Sequence, residues 1–469
     1  MKKAAVFILG GVVLLLLFKL MPTYDDWTYL TAPHWGDFWE RMLPNRNHWR
    51  PFDALFGSAL GLHVGLFPYL NHFFIWLAHC LSAYVLYKIL GHYQLKSRSV
   101  NIALLFYLFS PATLGTVLGI DSLNQAYASF WGIMSLYLFL SLRGKKTIIA
   151  WIFCALLAIF SKENGIAWLF IPPLFLGISE TKFPWKLILK YWGLGFLVLI
   201  IYVCLRKGLE IEGISGVSPL DDLESPYYFS IKNKIKDLVS FIGGSFFAID
   251  FISILHKPSR NLVIAALTFF ACCPFLYLLF RQIFIQKKER YIWIFLFASV
   301  IAALPHLATH FGPMHAYSSL SLVALLVAFV VDRIENKRNL ILCFGLFFAS
   351  ALFVDAHHWH HTYMSSKKGI EMGQKVVDRT TVVPESVLII TIMDDQPRYS
   401  SFCVPPREAY RNGAAAQFAY KYEYPKKKVN VYLNQYDTDS ITYYIDKHKD
   451  HLNCVWINDK DSIEVINLR

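Results

Sequence analysis

Long apolar runs separated by short polar connections dominate the first three quarters of the chain. They fall at residues 4–18, 66–87, 100–118, 126–142, 148–160, 166–178, 187–205, 261–280, 291–308, 317–331 and 339–354. A helix crosses a bilayer with about 17–25 apolar residues, and shorter runs cross by tilting or by packing as half-helices. The pattern therefore predicts an α-helical polytopic membrane protein with about 11 transmembrane helices. Beyond residue 355 the pattern changes. Residues 356–469 are polar and charged, without a run long enough to span. Alternation at Ser386–Met393, Val429–Leu433, Cys454–Ile457 and Ile463–Ile466 predicts strands, with helical patterns near 366–379, 407–421 and 438–449. The Asn458-Asp459-Lys460-Asp461 turn reads as a hairpin. We therefore expect a membrane domain over residues 1–355 and a small α/β domain over 356–469, with no internal repeat.

Charge gives these spans a direction. Lys2 and Lys3 precede the first apolar run, but no small-residue cleavage site follows before Pro22, so the segment is expected to stay as an uncleaved anchor. Basic residues crowd alternate connections: Lys88, Lys96 and Arg98; Arg143, Lys145 and Lys146; Lys182, Lys186 and Lys190; Arg281, Lys287, Lys288 and Arg290; Arg333, Lys337 and Arg338. The connections between them hold Asp25, Asp26, Asp37, Glu40, Asp121 and Glu163. This is the positive-inside distribution. The net charge of +12 thus sets topology and does not indicate nucleic acid. The expectation is a multi-pass protein of the plasma (inner) membrane, with its N-terminus cytoplasmic and its C-terminal domain extracytoplasmic. For the alternation to hold, residues 237–255 must not cross; with Gly243-Gly244 they are expected to form an interfacial or re-entrant segment. Six of the eight cysteines lie in spans as small hydrophobes, leaving Cys403 and Cys454 as a plausible outer disulfide.

The chemistry gathers in the acidic connections. Asp25 and Asp26 sit a few residues beyond the first span, and carboxylates that close to hydrocarbon are costly unless they serve a purpose. Trp27, Trp35, Trp39 and Trp49 around them suit a headgroup interface, which explains the aromatics but not the paired acids. Asn47-His48-Trp49-Arg50-Pro51-Phe52 follows, then Pro68, Asn71, His72 and His79. Asp121 lies in the next outer turn, where Asp also serves simply as a turn or capping residue. In Ser161-Lys162-Glu163-Asn164-Gly165-Ile166 the acid and base could merely pair with each other, or Lys162 could grip a lipid phosphate. The polar stretch from Arg206 to Asp237 is long enough to cover a site. His357 and His361 share a helix face, but no carboxylate or cysteine evidently completes a metal site, so no metal ligand is assigned.

Tyr24-Asp25-Asp26, Trp49-Arg50-Pro51-Phe52, Pro68 with His72 and His79, and Ser161-Lys162-Glu163-Asn164-Gly165-Ile166 occur in an order that resembles the GT-C integral-membrane glycosyltransferases. The match is nearest to the protein O-mannosyltransferase-like branch and covers roughly residues 1–180. The repeat domain of some of those relatives is absent. Gly119-Ile120-Asp121 stands where they often carry a histidine–proline pair and a glutamate. The resemblance implies an inverting transfer of a sugar from a polyprenyl-phosphate donor to an acceptor hydroxyl on the extracytoplasmic face. The acceptor (glycan, lipid or protein) stays open. Asp25 would be the base that takes the acceptor proton, and Asp26 would orient the acceptor or share that proton. Lys162, Arg50 and Arg206, in that order, would face the departing phosphate, where negative charge develops. Asp121, Glu163, His48 and Tyr24 would position donor or acceptor. Branches of the family differ over metal dependence, which leaves a divalent cation open as a cofactor. The other readings are a flippase, transporter or polymerase of lipid-linked glycans, and an assembly protein that is merely anchored.

Overall fold

The structure is a computed structural model. It describes residues 3–22, 42–44, 49–60, 69–179, 182–209, 231–248, 258–287, 289–308, 311, 313–379, 386–391, 429–433, 452–457 and 463–467. The membrane region is built from helices α1 (Lys3–Leu17), α2 (Pro51–Leu60), α3 (Tyr69–His92), α4 (Ser97–Phe109), α5 (Leu114–Val117), α6 (Leu123–Ser141) and α7 (Lys145–Ser161). After a 3-10 segment, Glu163–Leu169, come α8 (Ile171–Leu174), α9 (Leu176–Ser179), α10 (Trp185–Gly208) and α11 (Ile231–Phe246). Then follow α12 (Pro258–Ile285), α13 (Arg290–Ala308), a 3-10 turn at Pro313–Ala316, α14 (Tyr317–Asp332) and α15 (Lys337–Arg379).

Among the described residues, six helices are long and apolar enough to cross a membrane: α3, α10, α12, α13, α14 and α15. A seventh arises if α4 and the segment Pro111–Val117, bent by 42°, are one broken span. The eleven crossings expected from hydropathy are thus not all present as long apolar helices. Residues 166–178, expected to cross, form a 3-10 turn and two one-turn helices, with Pro172-Pro173 in the first of them. Proline lacks the N–H that an inner helical turn needs.

α14 is the axis of the bundle, with every residue from Tyr317 to Val331 buried. Ser318, Ser319 and Ser321 let neighbouring backbones approach closely, as small residues do between membrane helices. By contrast, α10 and α12 expose Phe196, Ile200, Leu262, Val263 and Leu267 outward, which suits a lipid-facing surface. α11 runs unbroken through Gly243-Gly244, against the break expected there. It is amphipathic: Ile231, Ile235, Leu238, Val239 and Ile242 face outward, while Asp237, Ser240 and Ser245 face the bundle. Such a helix lies along an interface more readily than it crosses one.

Connectivity sorts the charges by end. The turns after α3, α6, α9, α12 and α14 carry Lys96, Arg98, Arg143, Lys182, Lys287 and Lys337 at one end. There the Lys96 ammonium donates to the Asp332 carbonyl (2.8 Å), and the Ser99 hydroxyl to the Asp332 carboxylate (2.9 Å). Arg98 donates to the Ile334 carbonyl (2.8 Å). Arg50, Asp121, Lys162 and Glu163 belong to turns that by the same connectivity lie at the opposite end, where Arg206 sits in the last turn of α10.

Ser110-Pro111 makes the bend in the broken span. The Ala112 N–H turns to the Ser110 hydroxyl (3.3 Å) instead of the carbonyl of Leu108. His79 Nε2 approaches that carbonyl at 3.3 Å, so it carries the proton; Nδ1 then accepts from the Tyr317 hydroxyl at 2.8 Å. Tyr107 lies 3.2 Å from the same hydroxyl and donates to it. His79→Leu strips these buried groups of partners at a cost of roughly 1–3 kcal/mol per group. A clear fall in the thermal midpoint of the detergent-solubilised protein is expected; an unchanged midpoint would show that the network holds nothing.

α15 runs without a break through residues 355 and 356, where the sequence divides the chain into domains, and absorbs the helix expected at 366–379. Beyond it, β1 (Ser386–Thr391), β2 (Val429–Leu433), β3 (Leu452–Ile457) and β4 (Ile463–Asn467) form one sheet in the order β2-β1-β3-β4. β1 is parallel to both β2 and β3, and β3 and β4 pair antiparallel with Trp456 opposite Glu464. The helices expected at 407–421 and 438–449 lie outside the described residues, as does Cys403, the expected partner of Cys454 on β3.

Candidate functional site

The site is assembled at the end of the bundle opposite the basic turns. Pro51 opens α2 with its φ already set for a helix, so Trp49 and Arg50 are held at the helix entrance. Glu163 begins the 3-10 segment at the end of α7 and clamps both. Its carboxylate accepts from Arg50 Nε and Nη2, each at 2.8 Å, and from the Trp49 backbone N–H at 3.3 Å. Each side chain of the ion pair is about a quarter exposed (25% and 23%).

Trp49 is the hinge of this corner. Its indole N–H donates to the Met42 carbonyl at 2.9 Å. Its ring stacks on Tyr202 of α10 (centroids 5.5 Å, planes 15° apart) and meets Phe160 edge-on at 5.1 Å. Arg206 lies one helical turn beyond Tyr202 on α10.

Lys162 turns the other way. Its ammonium lies 3.9 Å from the Met314 sulfur on the turn before α14. On the flank, Asn164 donates to the Gln125 side-chain oxygen (3.3 Å), tying the 3-10 segment to the start of α6. Asp121, half-buried, stands just before that start and accepts from the Ser122 hydroxyl at 3.2 Å.

No protein-family model matches the chain, and no curated protein or solved structure is significantly similar to it.

The structure joins Arg50 to Glu163, with Lys162 next to Glu163 in the chain and Arg206 one turn beyond Tyr202. Asp121 joins the same end through the Gln125–Asn164 link. Tyr24, Asp25, Asp26 and His48 lie outside the described residues. The simple pairing of Lys162 with Glu163 considered from the sequence is replaced by Glu163 with Arg50. Neighbours in sequence diverge here because Lys162 is extended (φ −158°, ψ 142°) where α7 ends. The sequence also gave no reason to join Gln125, Met314 or His315 to these residues; their contacts depend on which helices pack together. Among the described residues, no group of three or more His, Cys, Asp and Glu is arranged to hold a metal ion.

Because the Arg50–Glu163 pair is partly exposed, water screens it to about 1 kcal/mol. A double-mutant cycle with Arg50→Gln and Glu163→Gln, read by thermal midpoint, is expected to return a coupling of about that size. Additive single effects would mean that the pair carries no energetic weight.

Proposed function

We propose that this helical membrane protein is an inverting glycosyltransferase that moves a sugar from a polyprenyl phosphate to an acceptor hydroxyl on the extracytoplasmic face. The observation that carries the reading is the gathering of Arg50, Asp121, Lys162, Glu163 and Arg206 at one end of the bundle. That end is opposite Lys96, Arg98, Arg143, Lys182 and Lys337, the residues that positive-inside topology keeps in the cytoplasm. In this reading eleven crossings carry the chain outward to a C-terminal α/β domain. Asp25 takes the acceptor proton, Asp26 orients the acceptor, and the attacking oxygen displaces the lipid phosphate from the opposite face of the sugar. Lys162, with Arg206 and Arg50, neutralises the charge that grows on the leaving phosphate. Glu163 holds Arg50 and Trp49 in place, while Asp121, His48 and Tyr24 position the reactants.

Purified protein in lipid nanodiscs, offered a panel of polyprenyl-phosphate sugars and acceptors, tests the reading. Transfer with inverted anomeric configuration is the expected result. A retained configuration would remove Asp25 from its role.

A flippase is the second reading, and one observation favours it. Among the described residues, Asn71, Asp355 and Thr362 hold buried polar side-chain atoms without a hydrogen-bond partner, in or at the end of long apolar helices, where polar groups often mark a substrate path. Proteoliposomes that scramble a lipid-linked glycan without transferring its sugar would decide for it.

A further inference from the structure

The turn before α14 carries a pair of histidines that the proposed chemistry leaves unused. His306, at the end of α13, and His315 lie with their rings parallel, centroids 3.7 Å apart and planes 8° from each other. His306 is buried and His315 only half-buried, so the second imidazole is the accessible one. The turn that holds it is rigidly seated. A Cβ on Gly115 would come within 2.5 Å of the Met314 backbone, Thr116 approaches the Met314 carbonyl at 3.5 Å, and the Ser318 hydroxyl donates to the His315 carbonyl at 2.7 Å. On this same turn the Lys162 ammonium approaches Met314, the residue before His315. The Lys162 ammonium and the His315 ring are thus brought to one turn by two separate elements.

α11 packs against this point. Asp237 of α11 is paired with Lys234 (3.2 Å) and accepts from the Phe311 N–H (3.2 Å), four residues before His315. Phe311 in turn meets the His315 ring edge-on at 6.0 Å and Phe241 of α11 at 5.6 Å. The bundle-facing side of α11, with Asp237 and Phe241, thus packs beside the histidine pair. A tetrahedral phosphate accepts donors from several directions, which suits two nitrogen donors carried by separate elements.

We propose that His315, backed by the ring of His306, joins Lys162 in binding the phosphate of a lipid-linked substrate. The inference rests on the transferase reading for the substrate class, but its test needs no sugar transfer. Binding of polyprenyl phosphate without sugar is measured on the full chain in nanodiscs, with inorganic phosphate as competitor. His315→Leu is expected to weaken binding by about tenfold, the loss of one charge-assisted contact. His315→Lys keeps a nitrogen donor and His306→Phe keeps a flat ring under it; both should bind like the wild type.

Displacement by inorganic phosphate would assign the site to the phosphate group alone. Binding that resists displacement would assign it to the headgroup of an anchored lipid; both outcomes support the site. If His315→Leu does not fold, His315→Glu against His315→Lys gives the same comparison. Equal affinity in all variants overturns the inference. A tenfold loss in a protein that transfers no sugar leaves the site standing and removes only the transferase reading.

Discussion

Asp25→Asn is expected to cut sugar transfer by about 10³-fold, within the span that general base catalysis contributes, while expression and thermal midpoint stay unchanged. The substitution keeps size and hydrogen-bonding shape and removes only basicity. The fall should appear in kcat with KM nearly constant, because a base acts in the transition state and not in donor binding. Asp26→Asn should cost less. The described chain leaves α1 through Leu17 and Leu20, buried in a cluster with Trp76, Leu114, Val117, Leu118 and Val354. The Met21 N–H donates to Ser366 of α15 at 3.3 Å. Leu114–Leu118 lead directly into the turn with Asp121, so Leu20 and Met21, which precede the proposed base, lie at that end of the bundle. Wild-type turnover in Asp25→Asn would remove the base assignment.

The largest structural effect is expected at Gly165. A Cβ there would lie 2.3 Å from the carbonyl carbon of Ala158 and 2.5 Å from its oxygen and from the Ile159 nitrogen. These are backbone atoms of α7 and cannot swing aside. The 3-10 segment folds back on the helix it has just left, and only a hydrogen fits between them. Gly165→Ala must push Glu163–Leu169 away from α7. Overpacking of this kind costs about 3 kcal/mol or more, and here it also pulls Glu163 from Arg50 and Asn164 from Gln125. Little monodisperse protein should be recovered after detergent extraction, and what is recovered should melt well below the wild type. Normal yield and midpoint would show that the turn has slack which the packing denies.

Much of this was legible along the chain, for reasons that lie in particular residues. The long apolar helices announce themselves because Tyr317–Val331 and its like leave no polar side for water. Ser110-Pro111 gives away the bend, since proline cannot continue the ladder of N–H donors. Strands at Val429–Leu433 and Ile463–Asn467 follow from alternation. The failures are equally physical. Pro172-Pro173 lies in a run apolar enough to read as a span, and hydropathy does not register that the helix is broken there. Gly243-Gly244 reads as a break, yet α11 carries both through because Gly244 is packed against the bundle. At the site, Lys162 and Glu163 could be singled out as charges in an apolar setting. Which cation Glu163 would choose could not, because Arg50 is separated from it by more than a hundred residues and reaches it only once α2 docks on α7.

The central claim is that the end of the bundle carrying Arg50, Lys162 and Glu163, with the loop of Asp25, faces outward. A single cysteine at residue 28, in a background without the native cysteines, can be probed with a membrane-impermeant maleimide on intact cells. Labelling from outside, before permeabilisation, is the predicted result. Labelling only after the membrane is opened would put the acids and their cations in the cytoplasm and contradict the account.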